Sequence, residues 1–237
     1  MPLFFTFTLW VKEKLSVTLL KKFFEMTKII SFISRKGGTG KTTNAINLAT
    51  YLAKKKNNII LVETDPNYTI NSLRKLELFK LKKKKDTYFP IVGSEDHRVA
   101  TEIKKLTLQN TFDYIIIDSA GKTTDKGIKE LCLASDLVLI TTSLTQNDLL
   151  VAYQTVQDLQ PAQEVNKDLQ ICVLPNRIHS RTRVRTVKEV LKNLNANILN
   201  TYVPQRKVFT SPSTIYPEWR YRNIAKEIIK FVDHGKK

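Results

Sequence analysis

A glycine-rich segment between a predicted strand and a predicted helix constrains the fold of this chain more than any other feature. Residues 36–43 have the sequence Lys-Gly-Gly-Thr-Gly-Lys-Thr-Thr. The preceding residues 28–34 are mostly β-branched and aromatic, as in a buried strand. Residues 44–56 carry apolar side chains at helical spacing, namely Ile46, Ala49, Leu52 and Ala53. The pattern therefore predicts a strand–loop–helix unit with the glycines in the loop.

A loop of this kind is suited to bind phosphate. The free N–H groups and the positive end of a helix favour anions, and glycines let the backbone approach a phosphate closely. In such a loop Lys41 would neutralise the β- and γ-phosphates of a nucleotide, and the Thr42 hydroxyl would ligate magnesium. The predicted nucleotide-binding residues are Gly37, Gly38, Thr39, Gly40, Lys41, Thr42 and Thr43.

The loop departs from the common pattern G-x-x-x-x-G-K-[ST], because Arg35 stands where the first glycine is expected. It fits the variant K-G-G-x-G-K-[ST] instead. In this respect the chain resembles the deviant Walker family of dimeric ATPases, such as ParA and MinD. The resemblance implies ATP and Mg²⁺ as cofactors and a homodimer that forms with ATP. It also implies a catalytic role for Lys36, which would reach across the dimer interface to the nucleotide of the partner subunit.

Two further predicted strands end in acidic residues. Residues 58–62 form an apolar run that ends in Glu63-Thr64-Asp65-Pro66, where the ParA family usually has D-x-D-P. The resemblance implies that Asp65 orients the attacking water and supports the magnesium shell. Glu63 departs from the family pattern, because it keeps the charge of the usual aspartate on a longer side chain. Residues 113–118 form the other strand, and Asp118 at its tip is predicted to hold magnesium through water, because ligands bind at the carboxyl ends of parallel strands.

Later segments extend the resemblance to about residues 27–237. The Gly/Ala content of residues 119–121 is similar to the ParF-like subgroup of small partition ATPases. Residues 134–140 match the family's next strand, although residues 141–146 lack the usual prolines and only Asp148 beyond them is retained. Residues 173–177 match the segment that places an asparagine by the adenine, which implies a nucleotide-binding role for Asn176.

The whole pattern predicts one α/β domain of the P-loop NTPase type. Predicted strands and helices alternate, so we expect a mostly parallel twisted sheet with helices on both faces. The chain has 237 residues, of which 42% are hydrophobic, which suits a single core of ordinary size. We expect this domain at 27–237 and an N-terminal extension at 1–26. The apolar run at residues 2–11 is too short to span a bilayer, so no stable membrane insertion is expected.

Positive charge is concentrated near the C-terminus. The chain has a formal net charge of +17, and residues 171–237 contain 14 basic and 4 acidic residues. Clusters of lysine and arginine attract phosphate backbones without reading sequence. A helix is expected to begin near Arg183 and to bury Val187, Val190, Leu191 and Leu194. The resemblance implies nonspecific DNA binding by this region, for which the candidate residues are Arg181, Arg183, Arg185, Arg206 and Arg222.

The cysteines exclude one class of relative. Cys132 and Cys172 lie in apolar segments, form no C-x-x-C pair and lack the flanking glycines of the cysteines that bridge subunits in the nitrogenase iron protein. Buried free thiols in a reduced cytoplasm are therefore expected.

The leading hypothesis is a ParA-type partition ATPase of the cytoplasm that associates with the nucleoid. A ParB-like centromere-binding partner would stimulate its slow hydrolysis of ATP and release it from plasmid or chromosomal DNA. A MinD-like membrane switch is the alternative, since Ile224, Ile228, Ile229, Phe231 and Val232 lie near helical spacing, as in an amphipathic anchor. A metabolic ligase that shares the loop is a third class, for which no substrate motif is visible.

Overall fold

The computed structural model describes residues 27–83, 85–95, 98–121 and 125–234. In this part of the chain the strands are β1 Lys28–Phe32, β2 Ile59–Glu63, β3 Ile91–Gly93, β4 Tyr114–Asp118, β5 Leu137–Thr142, β6 Gln170–Pro175 and β7 Asn197–Ile198. The helices are α1 Lys41–Lys54, α2 Thr69–Lys80, α3 Val99–Gln109, α4 Asp125–Ala134, α5 Gln146–Val165, α6 Val184–Leu191 and α7 Arg222–His234. Short 3₁₀ helices span Lys207–Phe209 and Trp219–Tyr221.

The seven described strands form one sheet in the order β3-β2-β4-β1-β5-β6-β7, and every neighbouring pair is parallel. β1 therefore lies inside the sheet, between β4 and β5. Parallel neighbours need crossover connections, and the described helices supply them. This arrangement confirms the predicted α/β class with a parallel sheet.

The sheet separates two hydrophobic cores, because successive strand residues point to opposite faces. Ile30 and Phe32 of β1 pack with α1 and α7 on one face. Ile29 and Ile33 pack with the side of the sheet that α3, α4, α5 and α6 cover. Helices on both faces are thus confirmed, and the strands are apolar on both sides, as expected for a buried parallel sheet.

The strand register brings the predicted acidic residues together. Asp118 at the end of β4 is paired with Phe32 of β1 on one side and with Glu63 of β2 on the other. The glycine-rich loop leaves β1 directly after this point. The ends of β1, β2 and β4 therefore meet at one edge of the sheet.

Most predicted elements are present, with boundaries that differ by a few residues. α1 starts at Lys41, within the glycine-rich motif, and α6 starts one residue after Arg183. The prediction that Val190 is buried was wrong, because its side chain is 41% exposed near the end of this short helix. The predicted N-terminal extension at 1–26 lies outside the described residues. Among the helices that the structure describes, none is long and apolar enough to cross a bilayer.

Candidate nucleotide-binding site

The glycine-rich loop has a backbone conformation that requires glycine at two positions. Gly38 and Gly40 have φ angles of +76° and +102°, a region that residues with a side chain rarely adopt. Gly40 also lies close to Asn176, whose Nδ2 atom would be 2.1 Å from a Cβ added at Gly40. α1 begins immediately afterwards, so its N-terminal N–H groups lie beside the loop.

Lys41 and Asp118 form the buried centre of this edge. The Lys41 Nζ donates a hydrogen bond to the Lys36 carbonyl oxygen at 3.2 Å. Burial lowers the pKa of Lys41, and the charges of Asp118 and Asp65 offset part of this effect. A loop lysine that is desolvated and held in this way is poised to gain a strongly anionic ligand such as a phosphate.

Asp118 has the properties of a magnesium-binding carboxylate. Burial raises its pKa to about 7, and Glu63 and Asp65 add to this, whereas the hydrogen bond with Thr42 and the charge of Lys41 lower it. Its Oδ1 atom is buried and has no hydrogen-bond partner among the described residues. A hydroxyl beside a carboxylate with an unpaired oxygen is a donor set that Mg²⁺ prefers. The Thr42 and Asp118 side chains therefore fit a magnesium ion.

Glu63, which departs from the family pattern, stabilises the start of α2. Its carboxylate accepts hydrogen bonds from the Ile70 N–H at 2.9 and 3.1 Å and from the Thr69 hydroxyl at 2.9 Å. The residue at the usual capping position, Tyr68, has a left-handed conformation and makes no side-chain cap. Glu63 thus takes over the role of the helix cap from seven residues upstream. Sequence reasoning missed this contact.

Asp65 lies in the turn between Glu63 and α2. Its Oδ1 accepts a hydrogen bond from the Asn67 N–H at 3.0 Å. Together with Gly37 and Gly121 it lines a cleft of about 770 Å³. Gly121 contacts the glycine-rich loop so closely that an added Cβ would lie 3.0 Å from the Gly37 backbone. Asp65 is therefore next to the loop, and its role towards water stays a prediction.

Asn176 holds the glycine-rich loop from the other side. Its Nδ2 donates to the Thr39 carbonyl oxygen at 2.7 Å, and its Oδ1 accepts a hydrogen bond from Asn44 at 3.4 Å. Next to these contacts lies a cleft of about 490 Å³ between Gly40 and Thr43 on one side and residues 203–210 on the other. The cleft has room for a nucleoside attached to phosphates in the loop, and contact of Asn176 with adenine stays a prediction.

Lys36 is bound within its own chain. Its Nζ lies 2.7 Å from the Asp148 Oδ1, and the Ser143 hydroxyl donates to the Asp148 Oδ2 at 2.6 Å. Burial would raise the pKa of Asp148, but the hydrogen bonds from Lys36 and Ser143 and the charges of Lys36 and Arg177 outweigh it and lower this pKa. The predicted role of Lys36 towards a second subunit is not tested by this contact.

The candidate DNA-binding arginines are all on the surface. Exposed side chains are found at Arg181, Arg183, Arg185, Arg206 and Arg222. Among them, Arg185 forms an ion pair with Glu189 one helical turn away at 3.0 Å. Arg206 lines the cleft beside Gly40 and also a second cleft beside Trp219. Their exposure makes these residues accessible to a polyanion, but it does not identify the ligand.

The sequence over residues 30–215 matches the family described as CobQ/CobB/MinD/ParA nucleotide binding domain. The chain belongs to this family. The prediction of a ParA/MinD-type nucleotide-binding domain is thereby confirmed. The family match and the geometry agree, because the matched range contains the glycine-rich loop, Asp65 and Asp118.

Curated relatives differ in how much of their length the chain spans. The chromosome-partitioning ATPase Soj of Treponema pallidum is 26% identical over 250 residues, which are 86% of this chain and 98% of that protein. The signal recognition particle 54 kDa protein of Pyrobaculum aerophilum is 42% identical over 87 residues. These residues are 36% of this chain but only 19% of the Pyrobaculum protein, so the chain spans a small part of it.

Solved structures share the fold at low sequence identity. A plasmid partition protein of Borrelia burgdorferi bound to AMPPNP has a TM-score of 0.62 at 20% identity, covering 86% of this chain and 98% of that one. MinD in the MinC:MinD complex of Aquifex aeolicus has a TM-score of 0.63 at 19% identity, covering 87% of this chain and 94% of that one. Cobyrinic acid a,c-diamide synthase of Mycobacterium smegmatis, with bound ADP and magnesium, has a TM-score of 0.66 at 18% identity, covering 90% of this chain and 98% of that one. These similarities support the fold of the nucleotide-binding family.

Proposed function

We propose that this chain is a ParA-type partition ATPase. The observation that carries the proposal is the convergence of Lys41, Thr42 and Asp118 beside a loop that also contains Lys36. The near full-length similarity to a chromosome-partitioning ATPase favours partition over the other activities in the family. In this proposal ATP closes a homodimer, the dimer binds nonspecific DNA, and a ParB-like partner stimulates hydrolysis and release.

Each residue at the edge of the sheet has a defined task in the proposal. Lys41 and the N–H groups of the loop bind the phosphates, while Thr42 and Asp118 hold Mg²⁺, which would neutralise charge on the transferred phosphoryl group. Asp65 orients the attacking water from the neighbouring strand end. Lys36 leaves Asp148 and contacts the nucleotide of the partner subunit, which makes hydrolysis depend on dimerisation.

The C-terminal surface favours DNA over a membrane as the partner. The candidate arginines are exposed, so they can contact phosphates and release counterions. By contrast, the apolar residues that suggested a membrane anchor face the protein core, with Ile224, Ile228 and Val232 all buried on the sheet. No feature of the described residues supports a MinD-like anchor, so that alternative is not proposed.

The test is binding of duplex DNA with ATP, with ADP and without nucleotide, over a series of salt concentrations. We expect binding that requires ATP and weakens steeply with salt. Lys41→Ala should abolish nucleotide binding, whereas Lys104→Ala, which removes an exposed lysine of α3, should not. Asp65→Ala should keep ATP-dependent dimerisation and lose hydrolysis. Duplex binding that ignores the nucleotide, or wild-type hydrolysis by Asp65→Ala, would contradict the proposal.

A further inference from the structure

Trp219 is a large apolar side chain that the fold leaves in solvent. Its side chain is 71% exposed, although indoles are usually buried in cores or in interfaces. The Arg220 guanidinium stacks over the ring with its central carbon 4.5 Å from the ring centroid. An exposed tryptophan beside an arginine is a common composition of surfaces that bind nucleic acid.

Trp219 forms one wall of a cleft of about 590 Å³. We name it the Trp219 cleft, and its other lining residues include Ser180, Asn200, Tyr202, Arg206 and Arg220. It is distinct from the cleft beside Gly40, although Arg206 lines both. Ser180 also brings one end of the arginine-rich segment, residues 177–185, to its rim.

Contacts within the chain hold both walls of the Trp219 cleft in place. On one side, Glu227 accepts hydrogen bonds from the backbone N–H groups of Asn200 and Thr201 at 2.7 and 2.8 Å, and from both of their side chains. On the other side, the fully buried Tyr221 anchors the 3₁₀ helix that carries Trp219. A cleft that is already formed loses little conformational entropy when it binds a ligand.

The charge of the Trp219 cleft selects an anionic occupant. Arg206 and Arg220 face it, and Arg220 also forms an ion pair with Glu218 at 3.0 Å. The Glu227 carboxylate is turned to its four hydrogen-bond donors in residues 200–201. The same cleft of a second copy would bring a similar positive surface, so its approach to this cleft would be repelled.

We propose that the Trp219 cleft binds a nucleic-acid strand with an unstacked base. One base stacks on the indole of Trp219, and Arg206 and Arg220 contact the flanking phosphates. Bases within a duplex are already stacked on each other, so the cleft would discriminate in favour of single strands. The inference deepens the proposed DNA binding and rests on it for the class of ligand. Since both walls are held within one chain, this binding should not require ATP.

Tryptophan fluorescence can test the proposal directly, because the chain has two tryptophans, Trp10 and Trp219. In Trp10→Phe protein the emission comes from Trp219 alone. In the absence of nucleotide, a short oligothymidylate should quench this emission saturably. A ligated circular duplex, which has no free ends and no single-stranded gaps, should quench it far less. Inorganic polyphosphate should compete with the oligothymidylate for the arginines. Because it has no base to stack on the indole, polyphosphate alone should quench Trp219 only weakly.

Variants give a second measurement with fluorescently labelled oligothymidylate. Trp219→Ala should weaken binding roughly 5- to 150-fold, the range that loss of one base–aromatic stack implies. Tyr216→Ala is the matched control, because Tyr216 is 60% exposed and lines a different cleft. Arg206→Ala should reduce the salt dependence by about one counterion, whereas Lys104→Ala, which removes an exposed lysine of α3 outside the cleft, should leave it unchanged.

Several results would overturn the inference. Equal quenching by polyphosphate would mean that the cleft recognises phosphate alone, and equal affinity of Trp219→Ala and wild type would exclude stacking. Quenching that grows with protein concentration in the absence of oligonucleotide would identify a second copy as the occupant. If duplex binding fails to depend on ATP while the oligothymidylate still quenches Trp219, the partition proposal fails and the cleft assignment stands.

Discussion

The buried carboxyl of Asp118 should make the nucleotide-free protein less stable as pH rises. Burial raises the pKa of Asp118 from an ordinary value of 3.8 to about 7. Between these two values the folded state keeps a proton that the unfolded state releases. The contribution of Asp118 to the free energy of unfolding is therefore largest below pH 4, falls as the pH rises towards 7, and stays low above it.

The size of this effect follows from the shift. One pKa unit corresponds to 1.36 kcal/mol, so a shift of about three units amounts to about 4 kcal/mol, of which about 3 kcal/mol falls above pH 5. Asp118→Asn removes the titrating group, although its amide leaves a donor near the position of the unpaired Oδ1. The variant should therefore differ from wild type in the slope of stability against pH, whatever its absolute stability.

Urea unfolding of protein free of nucleotide and magnesium, measured from pH 5 to 8.5, provides the assay. The stability of Asp118→Asn relative to wild type should rise by about 3 kcal/mol over this range. Asp233→Asn, which changes an exposed aspartate on α7, is the control and should run parallel to wild type. If the Asp118→Asn and wild-type profiles also run parallel, burial does not penalise this carboxylate and the argument for an ion at Asp118 loses its basis.

Three further sites test other contacts of the fold and of the loop. Glu63→Ala should lower the free energy of unfolding by about 1–2 kcal/mol in urea, because α2 loses its cap, and Glu63→Gln should retain part of it. Arg74→Ala should cost about 3 kcal/mol or more in the same assay, since a buried guanidinium bound to Thr214 is removed. Gly40→Ala should abolish binding of a fluorescent ATP analogue, and adding Asn176→Ala should restore little of it, because the backbone strain at φ +102° remains.

Local patterns were sufficient to predict the sheet edge. Hydrophobic periodicity and turn residues determine structure over short distances in sequence. They were enough to predict the strand–loop–helix unit, the acidic strand ends and the parallel sheet. The meeting of Asp118 with Glu63 follows from the same pattern, because parallel strands end at one edge. These features depend on interactions between residues that are close in sequence, so a single sequence was enough to predict them.

Contacts between distant segments could not be predicted in the same way. Arg74 is fully buried and binds Thr214, 140 residues away, and Asp86, and it stacks on Phe89. The sequence analysis made no prediction for this helix or for Arg74. One signal was present, since Ile70 and Arg74 are four residues apart and share a helix face, but that spacing does not reveal what the arginine meets. The contact of Asn176 with Thr39, 137 residues away, was hidden for the same reason.

The ion pair between Lys36 and Asp148 is compatible with a role for Lys36 in a dimer. The Lys36 side chain is 44% exposed, and ion pairs at that exposure stabilise a protein by about 0–1 kcal/mol. If Lys36 leaves, Asp148 still accepts the hydrogen bond from Ser143 and lies in the field of Arg177. In the proposed dimer, the release of Lys36 would therefore cost little compared with its gain from a nucleoside triphosphate in a closed interface, where charges are less screened. The contact within one chain holds Lys36 near the loop in the monomer without opposing its transfer to a partner.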